Sequence, residues 1–514
     1  MLSRVSKYLL LVTSVLGATG AGADDQPLSV IDWVKRNPDQ PAMTSVTLPK
    51  RFEPPVSPNA LAPAVTVREL DQPARQIIGL VPSSVTGLPE SLWSGSSPLG
   101  LEAQISALPP MDLPAAQALL YTLLLTEATG PGDDGSTDGI LTLARVNALK
   151  RLGAPDPALA LLEEAGVTTD AAHFAAYIDL TLLTGQEDTA CAILGANPHL
   201  APSMGHRIFC TARLGDWPTA ALLFDTAHTL GDLPDPDSAA LERFLHPEAF
   251  EDAAPLPRPD EMTPLLFRVH EAIGEPLPTG SLPRAYAVAD LRDLAGWKTQ
   301  LDAAERLATT GALPANRLLG LYTARQPAAS GGVWDRVSAV QRFETALRTR
   351  SKDAISKTLP IAWEAMSEIG LEIMFADLFA DALGRYALDG DAGRIAQTME
   401  LLSPDYRQIT DASGAPELYV AIAQGRPEGL TSAQPLTEAV LRGFDTNYAR
   451  RDLMDLARNG RMGEATLRAL ISLEQGHAGD LNALTQALAT LRAFGQEDTV
   501  RRAALQVLLL DRTS

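Results

Sequence analysis

The stretch LGDWPTAALLFDTA, residues 214–227, decides the fold. Gly215 is followed by Ala220 five positions on, Phe224 four later and Ala227 three later. Alone, this is one amphipathic helix entered through a glycine turn. Repeated, it is one unit of a stacked array, and it does repeat. GAPDPALALLEEA starts at Gly153 and GQEDTACAILGAN at Gly185. Ala158, Ala190 and Ala220 hold the fifth position after the glycine, and Leu162, Leu194 and Phe224 the ninth. The glycines are 32 and 30 residues apart. Further on, Gly390, Gly425, Gly460 and Gly495 are each 35 apart, with apolar Ile395, Leu430, Ala465 and Val500 at the fifth position. Periods of this length mark arrays of small supersecondary units.

A glycine after an apolar helix supplies the positive φ of a C-terminal cap, and a few polar residues then turn the chain. A second helix returns along the first. The small residue at the fifth position lets the two backbones approach, and the larger one at the ninth reaches the next pair. One pair cannot bury its own apolar face, so pairs must stack. Ala and Leu dominate and aromatic residues are only 5%, a mix that favours helix over sheet. The expected fold is therefore all-α, an α-α superhelix of antiparallel helix pairs.

The pattern resembles the tetratricopeptide repeat. Gly215, Ala220, Phe224 and Ala227 stand where that family has its turn glycine, small residue, aromatic and second alanine. The first helices lack the family's tryptophan and leucine-glycine signature, and the repeat length varies. The resemblance implies a solenoid of helix pairs and a protein- or peptide-binding role. It implies no catalysis.

The ends of the chain read differently. Arg4 and Lys7, the apolar run YLLLVTSVL at 8–16 and AGA at 21–23 make residues 1–23 a secretory signal peptide, with cleavage expected before Asp24. The apolar run is too short to span a bilayer. The mature protein is expected in the periplasm or secreted, with no membrane insertion after cleavage. Residues 24–114 carry fifteen prolines, which exclude long helices and remove sheet donors. Apolar islands interrupt them: LSVIDWV at 28–34, VTV at 65–67, IIGLV at 77–81 and SLW at 91–93. This extended segment either wraps along the helical body or docks another protein, and Ile31 and Trp33 are the leading docking residues. Residues 115–232 form a first helical-repeat lobe, 233–283 a connector rich in proline and acid, and 284–514 a second lobe.

Cys191 and Cys210 fit no CxxC motif. In an oxidising compartment they form either one disulfide between neighbouring helices or two small buried apolar residues. A second unusual text is residues 313–347, which gathers Arg317, Tyr322, Arg325, Trp334, Arg336 and Arg342 around a Gly-Gly loop. Arginine and aromatic side chains are enriched at interface hot spots. The other reading is that they pack one turn of the array and pair with acidic neighbours.

The formal net charge of −21 repels phosphate backbones, so nucleic-acid binding is not expected. The seven histidines make no HExxH, and His206 with Cys210 supplies too few ligands for a metal. The sequence holds no P-loop, no GxGxxG after an expected strand and no nucleophile elbow. PGDDGSTDGI at 131–140 lacks the ligand spacing of a calcium loop. The sequence thus points to no cofactor, no metal and no enzymatic activity. The expected function is a periplasmic helical-repeat scaffold for an unidentified protein or peptide. Two alternatives stand beside it: a peptidoglycan accessory sharing the superhelix of lytic transglycosylases, and an accessory to an envelope machine such as the flagellar motor.

Overall fold

The computed structural model describes residues 77–131, 138–292, 294–410 and 414–510. Residues 1–23, the islands at 28–34 and 65–67, Ile31 and Trp33 lie outside them. The chain divides into a unit ending at Leu70 and a compact unit, Asp71–Ser514, which holds every described residue. The structure is 66% helix, with 24 α-helices among the described residues. The only sheet there is a two-residue antiparallel pair, Ile77–Ile78 against Ala128–Thr129.

All seven repeat glycines have positive φ, between 62° and 92°. Gly185 shows why. It closes the helix Ala171–Thr184 in the left-handed conformation, and the Gln186 N–H reaches back to Thr181 O at 2.8 Å. That six-to-one bond satisfies a carbonyl the helix end leaves orphaned. The next helix, Glu187–Ala196, starts two residues after the glycine and packs on the first. Gly153, Gly215, Gly460 and Gly495 are likewise followed, two residues on, by helices starting at Pro155, Trp217, Met462 and Glu497. Ala158, Ala190, Ala220 and Ala465 are fully buried in these second helices, and Phe224 is nearly so.

Two of the seven depart from the pattern. Gly390 is itself the first residue of the helix Gly390–Leu402. After Gly425 the chain runs as a loop to Pro435, so Leu430 sits in that loop rather than on a helix. Conversely, the same six-to-one bond closes turns at Gly231, Gly274, Gly311, Gly370 and Gly479, which the spacing did not single out. It also closes one at Arg350.

The described part of the proline-rich segment is not extended throughout. Pro98–Ser106 is a helix with proline in its first turn, capped by Ser97 accepting from Gly100 N. Proline is tolerated there because that N–H has no intrahelical partner anyway. Leu92 and Trp93 of the SLW island are fully buried. The connector expected over 233–283 holds the helices Asp235–Leu245 and Pro264–Ala272. Pro236 and Pro264 again sit in first turns, where they start helices rather than break them. Leu241, Leu265, Leu266 and Val269 join the core.

The apolar cores cut across the expected lobes. One runs through buried residues from Ile78 to Val269 and resumes from Leu401 to Val507. A second gathers residues from Ala287 to Leu402. The early helices Pro98–Ser106 and Pro114–Leu125 therefore pack on the late ones, Met462–His477 and Glu497–Leu509. Gly463 N–H donates to Leu92 O at 2.9 Å, and the Trp93 ring lies where a Cβ of Gly463 would project.

A candidate binding cleft where early, middle and late helices meet

The helix Pro114–Leu125 begins with proline, and its N-terminus carries no local side-chain cap. Late-chain side chains supply one. Glu474 accepts from Asp112 N at 3.1 Å and Leu113 N at 3.0 Å, and Gln506 Oε1 accepts from Ala115 N at 2.8 Å. Burial pushes the Glu474 carboxyl above its ordinary range, and the two backbone donors pull it back.

Beside this cap opens a cleft of about 660 Å³. Its walls come from distant parts of the chain: residues 112–114, Thr309, 369–372, Leu436, 476–481 and 506–510. Leu436, Leu481 and Val507 give it apolar surface, and Asp112, Glu372 and His477 give it polar edges. Volumes of this size, apolar with a few convergent polar groups, are typical of ligand sites. Gly476 sits on the wall, and a Cβ there would lie 2.5 Å from Leu484 Cα. The helices Met462–His477 and Leu481–Ala493 thus approach too closely for any larger residue at 476.

The cluster singled out over 313–347 does not form one surface. Tyr322 is buried, and its hydroxyl donates to Glu305 Oε1 at 2.6 Å. Arg336 forks onto the same carboxylate, Nε to Oε1 at 2.9 Å and Nη2 to Oε2 at 2.5 Å. Burial, with the Glu305 charge, holds the Tyr322 phenol well above its usual range. Trp334 is half-buried, its ring centroid 5.1 Å from that of Trp297. The partner-binding role expected for Tyr322 and Arg336 is therefore corrected to internal packing around Glu305. Arg317, Arg325 and Arg342 remain exposed. Glu305 itself was missed, although Leu301, Ala304 and Ala308 place it on the buried face of its helix.

Cys191 and Cys210 are disulfide-bonded, with Cα atoms 4.8 Å apart, and join the helices Glu187–Ala196 and Met204–Arg213. His206 Nδ1 lies 2.9 Å from Ser203 Oγ. Among the described residues no three His, Cys, Asp or Glu side chains converge as a metal site. Nor is any helix there long and apolar enough to cross a membrane. The loop at 131–140 is described only at its ends.

Neither a family model nor a curated protein nor a solved structure matches this chain.

Proposed function

We propose that this protein is an exported, non-catalytic helical-repeat scaffold that binds another protein or peptide. In this reading its glycine-closed helix pairs are degenerate tetratricopeptide-like units of a solenoid. The observation that carries the proposal is the 660 Å³ cleft at the cap of Pro114–Leu125. Its apolar walls and sparse polar edges suit a short peptide segment laid against packed helices. The disulfide supports export, because such bonds persist in oxidising compartments and are rare in reducing ones.

A photo-cross-linking amino acid placed at Leu436, on the cleft wall, tests the binding role in the intact envelope. A second probe at Leu222, exposed and outside the cleft, is the control. The proposal expects a discrete adduct from position 436 alone. No adduct at 436, or the same adducts from both positions, overturns it.

A further inference from the structure

A second cavity, of about 250 Å³, meets the cleft at Asp112 and Thr309. Two arginines stand on its wall in a chain of strongly acidic balance. Neither Arg151 nor Arg284 takes part in an ion pair among the described residues. Arg151 spends one donor on Ile105 O at 2.7 Å and is otherwise exposed at the mouth. Arg284 Nε is buried without a hydrogen-bond partner. The Tyr121 hydroxyl, which feels the Arg284 charge, is also buried and unpartnered. Buried donors are rarely left unpaired, and each costs free energy while it stays so.

The position of Arg284 is built rather than incidental. Its stem lies on Gly153, where a Cβ would come within 3.0 Å of Arg284 Cγ. Its neighbour Arg306, whose positive charge is disfavoured by burial and by Arg284, is tied down by Thr279 O and Leu282 O. Arg284 is therefore held beside a second cation, and Asp290 offsets the Arg306 charge in part. Asp112, the one acidic residue on the wall, is exposed and forms no ion pair among the described residues. The rest of the wall is mostly apolar, with Leu108, Pro110, Leu120 and Leu152 beside Thr309 and Thr310.

We propose that this cavity binds a small carboxylate carrying a short apolar body, with Arg284 and Arg151 holding the carboxylate and the Leu and Pro walls holding the body. A guanidinium fork matches a carboxylate in the plane and strengthens each bond by charge. The apolar lining disfavours inorganic phosphate, which would leave its outer oxygens facing hydrocarbon. Two sources carry this chemistry, a free organic acid and the C-terminal residue of a peptide. The site stands whether or not the larger cleft holds a partner.

Calorimetric titration of the full chain tests it with four probes: N-acetyl-leucine, its amide, inorganic phosphate, and a tetrapeptide ending in free leucine. N-acetyl-leucine is expected to bind the wild type, and the amide and phosphate are not. Arg284→Gln should weaken binding by about tenfold or more, the loss of a charge-assisted pair. Arg151→Gln should weaken it too, and because Arg151 is at the exposed mouth this variant reads the site even if Arg284→Gln fails to fold. Arg385→Gln, exposed and outside the cavity, should leave it unchanged. Tetrapeptide binding assigns the site to chain ends, and binding of N-acetyl-leucine alone assigns it to free acids. No binding to the wild type, equal binding of the amide or of phosphate, or undiminished binding in Arg151→Gln overturns the proposal.

Discussion

Glu474 Oε1 accepts the Leu113 N–H at 3.0 Å, joining positions 361 residues apart in the chain. Its second oxygen takes Asp112 N–H, so one carboxylate holds the N-cap donor of the helix Pro114–Leu125 and the donor of the residue before it. Substitution by alanine strands both. Glu474→Ala is expected to cost about 1–3 kcal/mol, the desolvation of unpaired N–H groups. The loss should be local first: amide exchange across 77–125 should accelerate before that of Leu481–Ala493. Urea unfolding with exchange mass spectrometry measures both, and unaltered exchange across 77–125 would show the cap to be dispensable.

That relationship marks the limit of what the sequence discloses. Gly185 and Ala190 were legible, because a capping glycine and a small packing residue are needed within a few positions of each other. Leu430 was not, because the same spacing after Gly425 falls in a loop. Pro236 and Pro264 lie in the stretch read as a connector, yet proline is compatible with a first turn, and only tertiary packing decides which applies. Tyr322 and Arg336 were recognisable as unusual, but composition cannot say which way a side chain faces. Nothing local to Glu474, Gln506 or Arg284 announces partners that lie hundreds of residues away or a cavity wall. Local periodicity yields helices and turns, whereas the cleft and its neighbour arise from contacts between distant stretches.

Arg350 is the one non-glycine described with positive φ, at 55°. It closes a turn in the place glycines take elsewhere, with Ser351 N–H reaching Ala346 O at 3.3 Å. The left-handed conformation costs a side-chain-bearing residue roughly 1–2 kcal/mol. Glycine removes that strain but adds roughly 0.5–1 kcal/mol of unfolded-state entropy. Arg350→Gly should therefore stabilise the protein by about 0.5 kcal/mol, seen as a small rise in melting temperature. A fall would mean the exposed arginine makes a contact worth more than the strain.

The Cys191–Cys210 bond closes a loop with a sequence separation of 19. Loops of that length restrict the unfolded chain by about 3 kcal/mol. Cys191→Ser with Cys210→Ser should lose about that much and a little more, since two hydroxyls replace buried sulfurs. Chemical denaturation of wild type with and without reductant, beside the double variant, checks it. Reductant should lower the wild type and leave the variant unmoved.

Arg336 and Glu305 form a mostly buried pair, their side chains 14% and 9% exposed. Removing one partner leaves an uncompensated charge, which typically costs about 3–5 kcal/mol. Arg336→Met should reach that range. Adding Glu305→Gln removes the stranded charge while keeping an acceptor for the Tyr322 hydroxyl. The double variant should thus be more stable than Arg336→Met alone. Urea midpoints of the wild type, both single variants and the double variant give the coupling, and simple additivity would show that the pair is energetically independent.

His206 supplies a pH-dependent contribution with a defined sign. Burial lowers its pKa below the ordinary 6.5, and the Asp179 charge opposes this in part. Its Nε2 is buried without a partner, so the neutral ring is the form the fold accepts. The unfolded chain then binds more protons than the folded one wherever pH lies between the lowered value and 6.5. Stability from this group is complete above 6.5 and is lost as pH falls through that window. His270, also held low by burial, contributes with the same sign and remains in a His206→Gln variant. Between roughly pH 7.5 and 5.5, the wild type should lose more melting temperature than His206→Gln, the difference isolating His206. Parallel curves for the two proteins would mean that the histidine titrates alike in the folded and unfolded chain.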